Sequence, residues 1–456
     1  MSKQIRLQAA ALAAVILISA VFLPGIPAGF AQAQSGAAAV ASTREARRAA
    51  VVEATKEVLA ETSELRQLPI LRPVKSGTQS RDEIQRFLIK NMDEDSSPAE
   101  MHASEVALKK LGLVPQDFEF RPFIISLLTE QVAGYYDPRR QEFFLADWID
   151  LDGQKPVMAH ELTHALQDQH FNLRRFENWP KGDSDAELAA HALVEGDASL
   201  VMGHYVGRNP ARILALMKSM GSSQSGTEQI ERAPRALRES LLFPYEQGMK
   251  WAQALYKKEG WPLVSKAYKE LPQSTEQVMH AEKYFAREAP VKVALPDITG
   301  ALGAGWKRID YDVNGEWSYY LILDEFLKSP QESRKAAAGW GGDRYSVYED
   351  AKSGQACLVQ LSVWDTMQDA TEFFDAYVKR TERRYKGAAR IASPYVEGST
   401  KWYEGQTWRT DEGLVFIIRN SEKIIVVEGL PETADIGKVA AALLEKDFIK
   451  VNNKSF

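Results

Sequence analysis

The pentapeptide His160-Glu161-Leu162-Thr163-His164 constrains the fold of this chain more than any other segment. Residues four apart on an α-helix differ by about 40° around the axis and by about 6 Å along it, so both imidazoles can face one metal ion. We therefore predict a helix that begins near Pro156 and ends near His170, with the two histidines on one of its faces.

The residue types of this pentapeptide indicate a hydrolytic metal centre. Glu161 lies beside both imidazoles, and a carboxylate there can take a proton from a water that zinc has made acidic and pass it to a leaving amine. The chain has seven histidines in all, so a coincidental match to the pattern would be rare. We predict that His160 and His164 bind Zn²⁺ and that Glu161 is the general base.

Two residues compete for the third metal ligand. His170 follows His160 by ten residues, the spacing of the extended motif H-E-x-x-H-x-x-G-x-x-H, but Gln167 stands where that motif has glycine. Without the glycine, a continuing helix swings His170 by about 80–120° away from the ligand face. Glu195 lies on a second predicted helix, residues 184 to about 205, and would complete a set of two histidines and one glutamate. We favour Glu195 and keep His170 as the alternative.

Catalysis at such a centre also needs a donor for the oxyanion, usually a Tyr or His downstream of the ligands. Tyr245 and His280 are the two candidates. Each has a structural hydrogen-bonding role as its alternative.

The sequence leaves open which residue orients the zinc-bound imidazoles. One turn after Glu195, where an acid often takes this role, the chain has Ser199, and the nearest acid is Asp197. Asp168, four residues after His164, is predicted to be a solvated helix residue.

The segments before the pentapeptide predict helices followed by a hairpin. Capping boxes begin at Ser42, Ser80 and Ser97, each with Glu three residues later. Residues 134–136 and 142–145 flank Asp-Pro-Arg-Arg and are typical of a β-hairpin. A strand in this place could bind an extended peptide substrate by β-addition.

The first 33 residues have the pattern of a secretory leader. Lys3 and Arg6 precede the apolar run 7–23, and Ala31-Gln32-Ala33 offers a cleavage site. We predict export to the periplasm or the extracellular space, and an uncleaved leader would instead associate the protein with the membrane or envelope. Loss of the leader changes the formal net charge from -6 to about -8, which argues against a nucleic-acid partner. Cys357, the single cysteine, is predicted to be a buried small hydrophobe.

The composition and the predicted secondary structure of the chain change near residue 290, which predicts an α+β fold in two domains. Residues 34–290 form a mostly helical zincin-like domain with a small sheet, 291–305 a linker rich in Pro, Gly and Ala, and 306–456 an accessory α+β domain. In the latter we predict strands near 344–349, 356–363, 401–409, 414–419 and 423–428, and helices at about 369–385 and 433–445.

Several segments together resemble a known class of enzyme. HELTHALQDQHF (160–171), ALVEGDA (192–198), FPYEQG (243–248), STEQVMHAEKY (274–284) and WDT (364–366) are similar to a poorly characterised group of exported bacterial proteins with HExxH and EGDA signatures. The resemblance implies a gluzincin-like fold of the zincin class, with His160, His164 and Glu195 on zinc. It implies no particular substrate.

The function expected from these observations is an exported zinc metallopeptidase that hydrolyses peptide bonds in a peptide or protein substrate. One alternative is an exported zinc-binding protein without proteolytic activity, whose C-terminal domain binds a partner. Another is a zinc hydrolase that acts on a non-peptide amide, such as a bond of the cell wall.

Overall fold

The computed structural model describes residues 37–131, 133–148, 150–177, 179–214, 232–392, 404–444 and 449–450. The predicted leader, residues 1–33, and residues 401–403 of one predicted strand lie outside these ranges. None of the helices in the described part of the chain has the length and apolar character needed to cross a membrane.

The part of the chain before residue 290 is mostly helical and carries one small sheet. Its elements are α1 (Ala37–Arg66), β1 (Lys75–Gln79), α2 (Arg81–Asp95), α3 (Pro98–Leu111), α4 (Phe120–Gln131), β2 (Gly134–Asp137), β3 (Glu142–Ala146), α5 (Leu151–Phe171), α6 (Arg174–Glu177), α7 (Ser184–Gly207), α8 (Arg235–Glu259), α9 (Trp261–Ala267), α10 (Thr275–Met279) and α11 (Ala281–Ala286). The predicted hairpin is confirmed as β2 and β3, which pair antiparallel. The parallel strand β1 was not predicted, and it completes a sheet of order β1-β3-β2 with β2 at one edge.

Capping side chains set the beginnings of several of these helices. The capping boxes at Ser80 and Ser97 are confirmed, since each serine accepts from the backbone of the glutamate three residues on. Ser42 lies inside α1 and does not begin it, so that prediction is wrong. The start expected at Pro156 is also wrong: α5 begins five residues earlier because Asp150 accepts from the Gly153 N–H at 3.0 Å and caps the helix there.

The part of the chain after residue 290 is built on a seven-stranded antiparallel sheet of order β5-β6-β7-β11-β10-β9-β8. Its elements are β4 (Lys292–Val293), α12 (Thr299–Leu302), β5 (Trp306–Asp312), α13 (Gly315–Leu327), α14 (Pro330–Ala337), β6 (Trp340–Asp350), β7 (Ala356–Trp364), α15 (Met367–Arg384), β8 (Ala389–Ile391), β9 (Glu404–Thr410), β10 (Gly413–Asn420), β11 (Lys423–Leu430), α16 (Ile436–Leu444) and β12 (Ile449–Lys450). The predicted α+β fold class is confirmed, as are the described parts of all five strands and both helices expected here.

Both faces of the large sheet are covered, as the continuous apolar runs of its central strands require. On β10, Val415 and Ile417 face one side, whereas Phe416 and Ile418 face the other. Helices α13 and α15 pack on the first side, and α12 and α16 cover the second. Cys357 is completely buried on the second side, which confirms its predicted role as a small apolar residue.

The apolar core on the first side of the sheet continues into the N-terminal helices without a break. Phe243 of α8, for example, packs on Trp317 of α13 with ring centroids 4.8 Å apart. Residues 291–305, expected to be a linker, contain β4 and α12, and their apolar side chains belong to the core on the second side. The two parts of the chain therefore share one interior.

A buried carboxylate strengthens this junction. Glu428 of β11 accepts hydrogen bonds from Arg380 at 2.7 Å, Arg384 at 2.9 Å and the hydroxyls of Tyr377 and Tyr385. The two arginines also donate to the last carbonyls of α3, residues 109–111. Burial alone would raise the pKa of Glu428, but the arginines lower it to about 2, so it remains an anion that holds both cations in place.

We expect Glu428→Gln to lower the free energy of unfolding by about 3 kcal/mol, because it leaves two buried guanidinium groups without their anion. Urea denaturation followed by circular dichroism measures the effect. Glu404→Gln is the control on the same sheet, since Glu404 pairs with Arg419 at the surface and its loss should cost less than about 1 kcal/mol. Equal effects of the two changes would contradict this account of the junction.

Candidate metal centre

Helices α5 and α7 bring three metal-ligand atoms together. Nε2 of His160 lies 3.1 Å from Nε2 of His164 and 3.1 Å from Oε2 of Glu195. His164 Nε2 lies 3.3 Å from the same carboxylate oxygen. The three atoms thus form a nearly equilateral triangle, which we call the ligand triad.

The ligand triad has the dimensions of a zinc site. Zinc binds nitrogen and oxygen ligands at about 2.0–2.1 Å in tetrahedral geometry, which separates neighbouring donors by about 3.3–3.4 Å. Two imidazoles and one carboxylate are also a donor set that zinc accepts in catalytic sites. All three residues are buried, and isolated charges are rarely buried unless they are paired or bind a metal. The residues present therefore fit a zinc ion.

The electrostatics of the triad favour a cation. Burial alone would raise the pKa of Glu195, but the adjacent imidazoles lower it to about 2. Burial lowers the pKa of His160, which keeps that imidazole neutral. Burial also lowers the pKa of His164, but the attraction of Glu195 exceeds this effect and raises it to about 9. A metal ion binding here must therefore displace a proton from His164.

Glu161 lies next to the triad and is held by the edge strand β2. The backbone N–H of Tyr136 donates to its Oε2 at 2.9 Å, and Oε1 is buried with no partner among the described residues. Its carboxylate has an oxygen within 4.8 Å of both imidazoles, farther than Glu195 Oε2. Burial raises the pKa of Glu161 to about 8, close to the value that suits a group exchanging protons near neutral pH.

Tyr245 of α8 also reaches the triad. Its ring lies 6.1 Å from that of His160, and its hydroxyl interacts with Glu195. Burial and the carboxylates of Glu195 and Glu161 raise the pKa of Tyr245, so the hydroxyl keeps its proton and can donate.

A close helix crossing brings Tyr245 to this position. A Cβ on Gly196 of α7 would lie 2.2 Å from the backbone of Gly248, and one on Gly248 would lie 2.2 Å from the carbonyl oxygen of Ala192. The backbones of α7 and α8 are therefore in contact, which only glycine permits at these two positions. Gly196 follows Glu195 directly and Gly248 lies one turn after Tyr245, so the crossing aligns the two functional side chains.

A residue that sequence reasoning did not assign orients His164. Gln167 Oε1 lies 2.8 Å from His164 Nδ1, and Gln167 Nε2 donates to Val194 O at 3.0 Å and to Asp197 Oδ2 at 3.1 Å. Asp197 also accepts from Tyr268 at 2.9 Å. Its position three residues after His164 could have suggested this contact, but the sequence analysis considered Gln167 only as the residue that replaces the glycine of the extended motif.

Ser199, the residue at the position where an acid was sought, makes no corresponding contact. Its Oγ and Nδ1 of His160 are both buried, and neither has a hydrogen-bond partner within the described ranges.

Asp168 is buried, so the prediction that it is solvated is wrong. It accepts from the Tyr136 hydroxyl at 2.9 Å and from Arg72 at 2.8 Å. It thereby ties strand β2, which holds Glu161, to the end of α5.

The two other histidine candidates lie elsewhere. His170 Nε2 bonds the carbonyl oxygen of Pro69 at 2.8 Å and is not part of the triad. His280 bonds Glu316 at 2.9 Å and lies 3.8 Å from Glu282, so its contacts correspond to the structural role named as its alternative.

Comparison with known proteins bears on the C-terminal part only. A family described as a domain of unknown function, DUF8575, matches residues 303–440, a region that contains none of the residues of the ligand triad. The match begins close to the predicted domain start at residue 306. No curated protein and no solved structure matches this chain.

We expect Gly248→Ala to lower the free energy of unfolding by about 2 kcal/mol or more, because the added methyl group would force α7 and α8 apart. Gly203→Ala on the exposed side of α7 is the control, since the same methyl group there meets nothing within 4 Å in the described structure. That change should be neutral or stabilising by up to about 1 kcal/mol. Urea denaturation of both variants decides the matter, and a neutral Gly248→Ala would contradict the role given to the crossing.

Proposed function

We propose that this protein is an exported zinc-dependent metallopeptidase that hydrolyses peptide bonds. The observation that carries the proposal is the convergence of His160 Nε2, His164 Nε2 and Glu195 Oε2 within 3.1–3.3 Å, with the unpaired oxygen of Glu161 beside them. A purely structural zinc site has no use for such a carboxylate. The leader-like first 33 residues support export.

The residues of the centre divide the chemistry of amide hydrolysis among them. Zinc, when bound by the triad, supplies a positive charge that polarises a carbonyl and acidifies water. Glu161 takes the proton from the attacking water and delivers it to the leaving amine. The Tyr245 hydroxyl, which stays protonated, donates to the oxyanion of the tetrahedral intermediate. Strand β2 is the edge strand beside Glu161, but its four residues are buried, so an extended peptide must displace their cover before it can pair with the strand.

A second candidate function is favoured by the burial of the centre. His164, the most accessible residue of the triad, exposes only 5% of its surface, and Tyr245 is completely buried. A substrate must therefore open this cover before it reaches Glu161. If the cover stays closed, the protein binds zinc without proteolytic activity, and its C-terminal part then serves to bind a partner.

We expect Glu161→Gln to keep about one zinc per chain and to lose hydrolysis by a factor of about 10² to 10⁴, because an amide retains the Tyr136 hydrogen bond but cannot take a proton. Zinc content by elemental analysis and cleavage of a peptide library by both proteins are the measurements. Equal cleavage by both would refute the mechanism. A wild type that holds zinc and cleaves no peptide would favour the second candidate, or a non-peptide amide if cell-wall fragments are cleaved instead.

We expect Glu195→Ala to reduce zinc content far more than His170→Ala, because only the first change removes an atom of the triad. His170→Ala is the matched control, since His170 bonds a backbone carbonyl at the far end of the same helix as His160. Equal loss of zinc from the two variants would show that Glu195 is not the third ligand.

A further inference from the structure

We propose that Gln167 is a positioning residue that keeps a proton on Nδ1 of His164, so that Nε2 is the nitrogen whose lone pair faces the metal when the ion binds. The inference rests on the proposed zinc centre and adds a role for Gln167, Asp197 and Arg66. We call these three residues the relay.

The direction of each hydrogen bond in the relay follows from its acceptors. Gln167 Nε2 contacts Val194 O and Asp197 Oδ2, and a carbonyl and a carboxylate can only accept. The opposite orientation of the amide would set oxygen against oxygen at both contacts. The amide nitrogen of Gln167 must therefore face these two groups, and the hydrogen-bond network determines the orientation of the side chain.

The amide oxygen is then left to face His164. Gln167 Oε1 lies 2.8 Å from His164 Nδ1 and can only accept, so Nδ1 must carry a proton. In a neutral imidazole with a proton on Nδ1, the lone pair is on Nε2, the atom that belongs to the ligand triad. The relay thus selects the form of His164 that binds a metal.

Asp197 is fixed by groups from distant parts of the chain. Arg66, the last residue of α1, donates from Nε to Asp197 Oδ1 at 2.6 Å, and both side chains are completely buried. The guanidinium also lies over the Trp261 ring at 4.7 Å. The Tyr268 hydroxyl donates to Asp197 Oδ2, so both carboxylate oxygens of Asp197 face donors and Asp197 accepts from Gln167.

The relay separates orientation from charge. A carboxylate in direct contact with the imidazole would bring a full negative charge against the ligand. Here the neutral amide of Gln167 lies between them, and the anion one step away is already paired with Arg66. The hydrogen-bond direction is transmitted to His164, whereas the charge is not.

The decisive experiment reverses the direction of the relay without changing its shape. In Asp197→Asn the new amide must present its oxygen to Arg66 Nε and its nitrogen to Gln167 Nε2, which opposes two donors. The Gln167 amide nitrogen then keeps only Val194 O as an acceptor and faces a donor at residue 197, so its oxygen is held towards His164 Nδ1 less firmly. We expect the dissociation constant for zinc to rise by about 10- to 100-fold. Competition with a chromophoric chelator measures this constant.

Further variants separate orientation from general destabilisation. Gln167→Met keeps the approximate shape of the side chain but removes its contacts with His164, Val194 O and Asp197. The double variant Gln167→Met/Asp197→Asn should bind zinc no more weakly than Gln167→Met, because Asp197 acts on His164 only through Gln167. Asp185→Asn makes the same substitution at another buried position of α7, where Asp185 contacts Thr275, and should leave zinc affinity unchanged. Thermal unfolding of the proteins before zinc is added shows whether each has folded.

A spectroscopic readout reports the tautomer directly. In ¹⁵N-labelled, zinc-loaded protein, the wild type should show a His164 Nδ1 proton protected from solvent, and a folded Gln167→Met variant should lose that protection, which a purely structural role would not predict. Wild-type affinity in a folded Asp197→Asn variant, or a double variant that binds zinc more weakly than Gln167→Met, would overturn the relay. If the variants change zinc affinity as expected but the wild type hydrolyses nothing, the peptidase is refuted and the relay stands. If the wild type binds no zinc, both proposals are overturned.

Discussion

The contact between the backbones of α7 and α8 at Gly196 and Gly248 is the constraint on which the candidate site depends. Helix α7 carries Glu195 towards α5 on one side and meets α8 on the other, so a single helix positions the carboxylate ligand between the two histidines and the tyrosine. A wider separation of α7 and α8 would leave Tyr245 out of reach. Close packing of helices therefore produces the geometry of the site, and glycine, a poor helix former, is tolerated because no larger residue fits.

The interior around the site is polar to an unusual degree for a protein core. Most of α5 is buried, including two histidines, two acids and two glutamines. Burying such groups costs free energy unless each finds a partner. The partners come from strand β2, from α7 and from the end of α1, so several elements must be in place together before the polar groups are satisfied.

The residues that sequence reasoning found were those with a local pattern. The i, i+4 spacing of His160 and His164 and the short apolar runs of β10 and β11 depend on neighbours in the chain. Gln167 and Asp197 are 30 residues apart, and Arg66 precedes Asp197 by 131 residues. No local pattern in the sequence therefore reveals their contacts. Strand β5 and helix α13 were also missed. Strand β5 buries only its two end residues, and α13 is buried from Gly315 to Asp324, so neither has the one-sided apolar period that predicts a strand or a helix.

The continuous core has a consequence for the region that matches DUF8575. Within residues 303–440 nothing corresponds to α8, yet here the ring of Trp317 packs on Phe243 of that helix and Tyr320 bonds its Arg235. A chain that contained the matched region by itself would present these aromatic groups to water. The matched region therefore forms only one half of a shared core. In any protein that contains this region, we expect a helix from the same chain or from a second subunit to pack across α13 and complete that core.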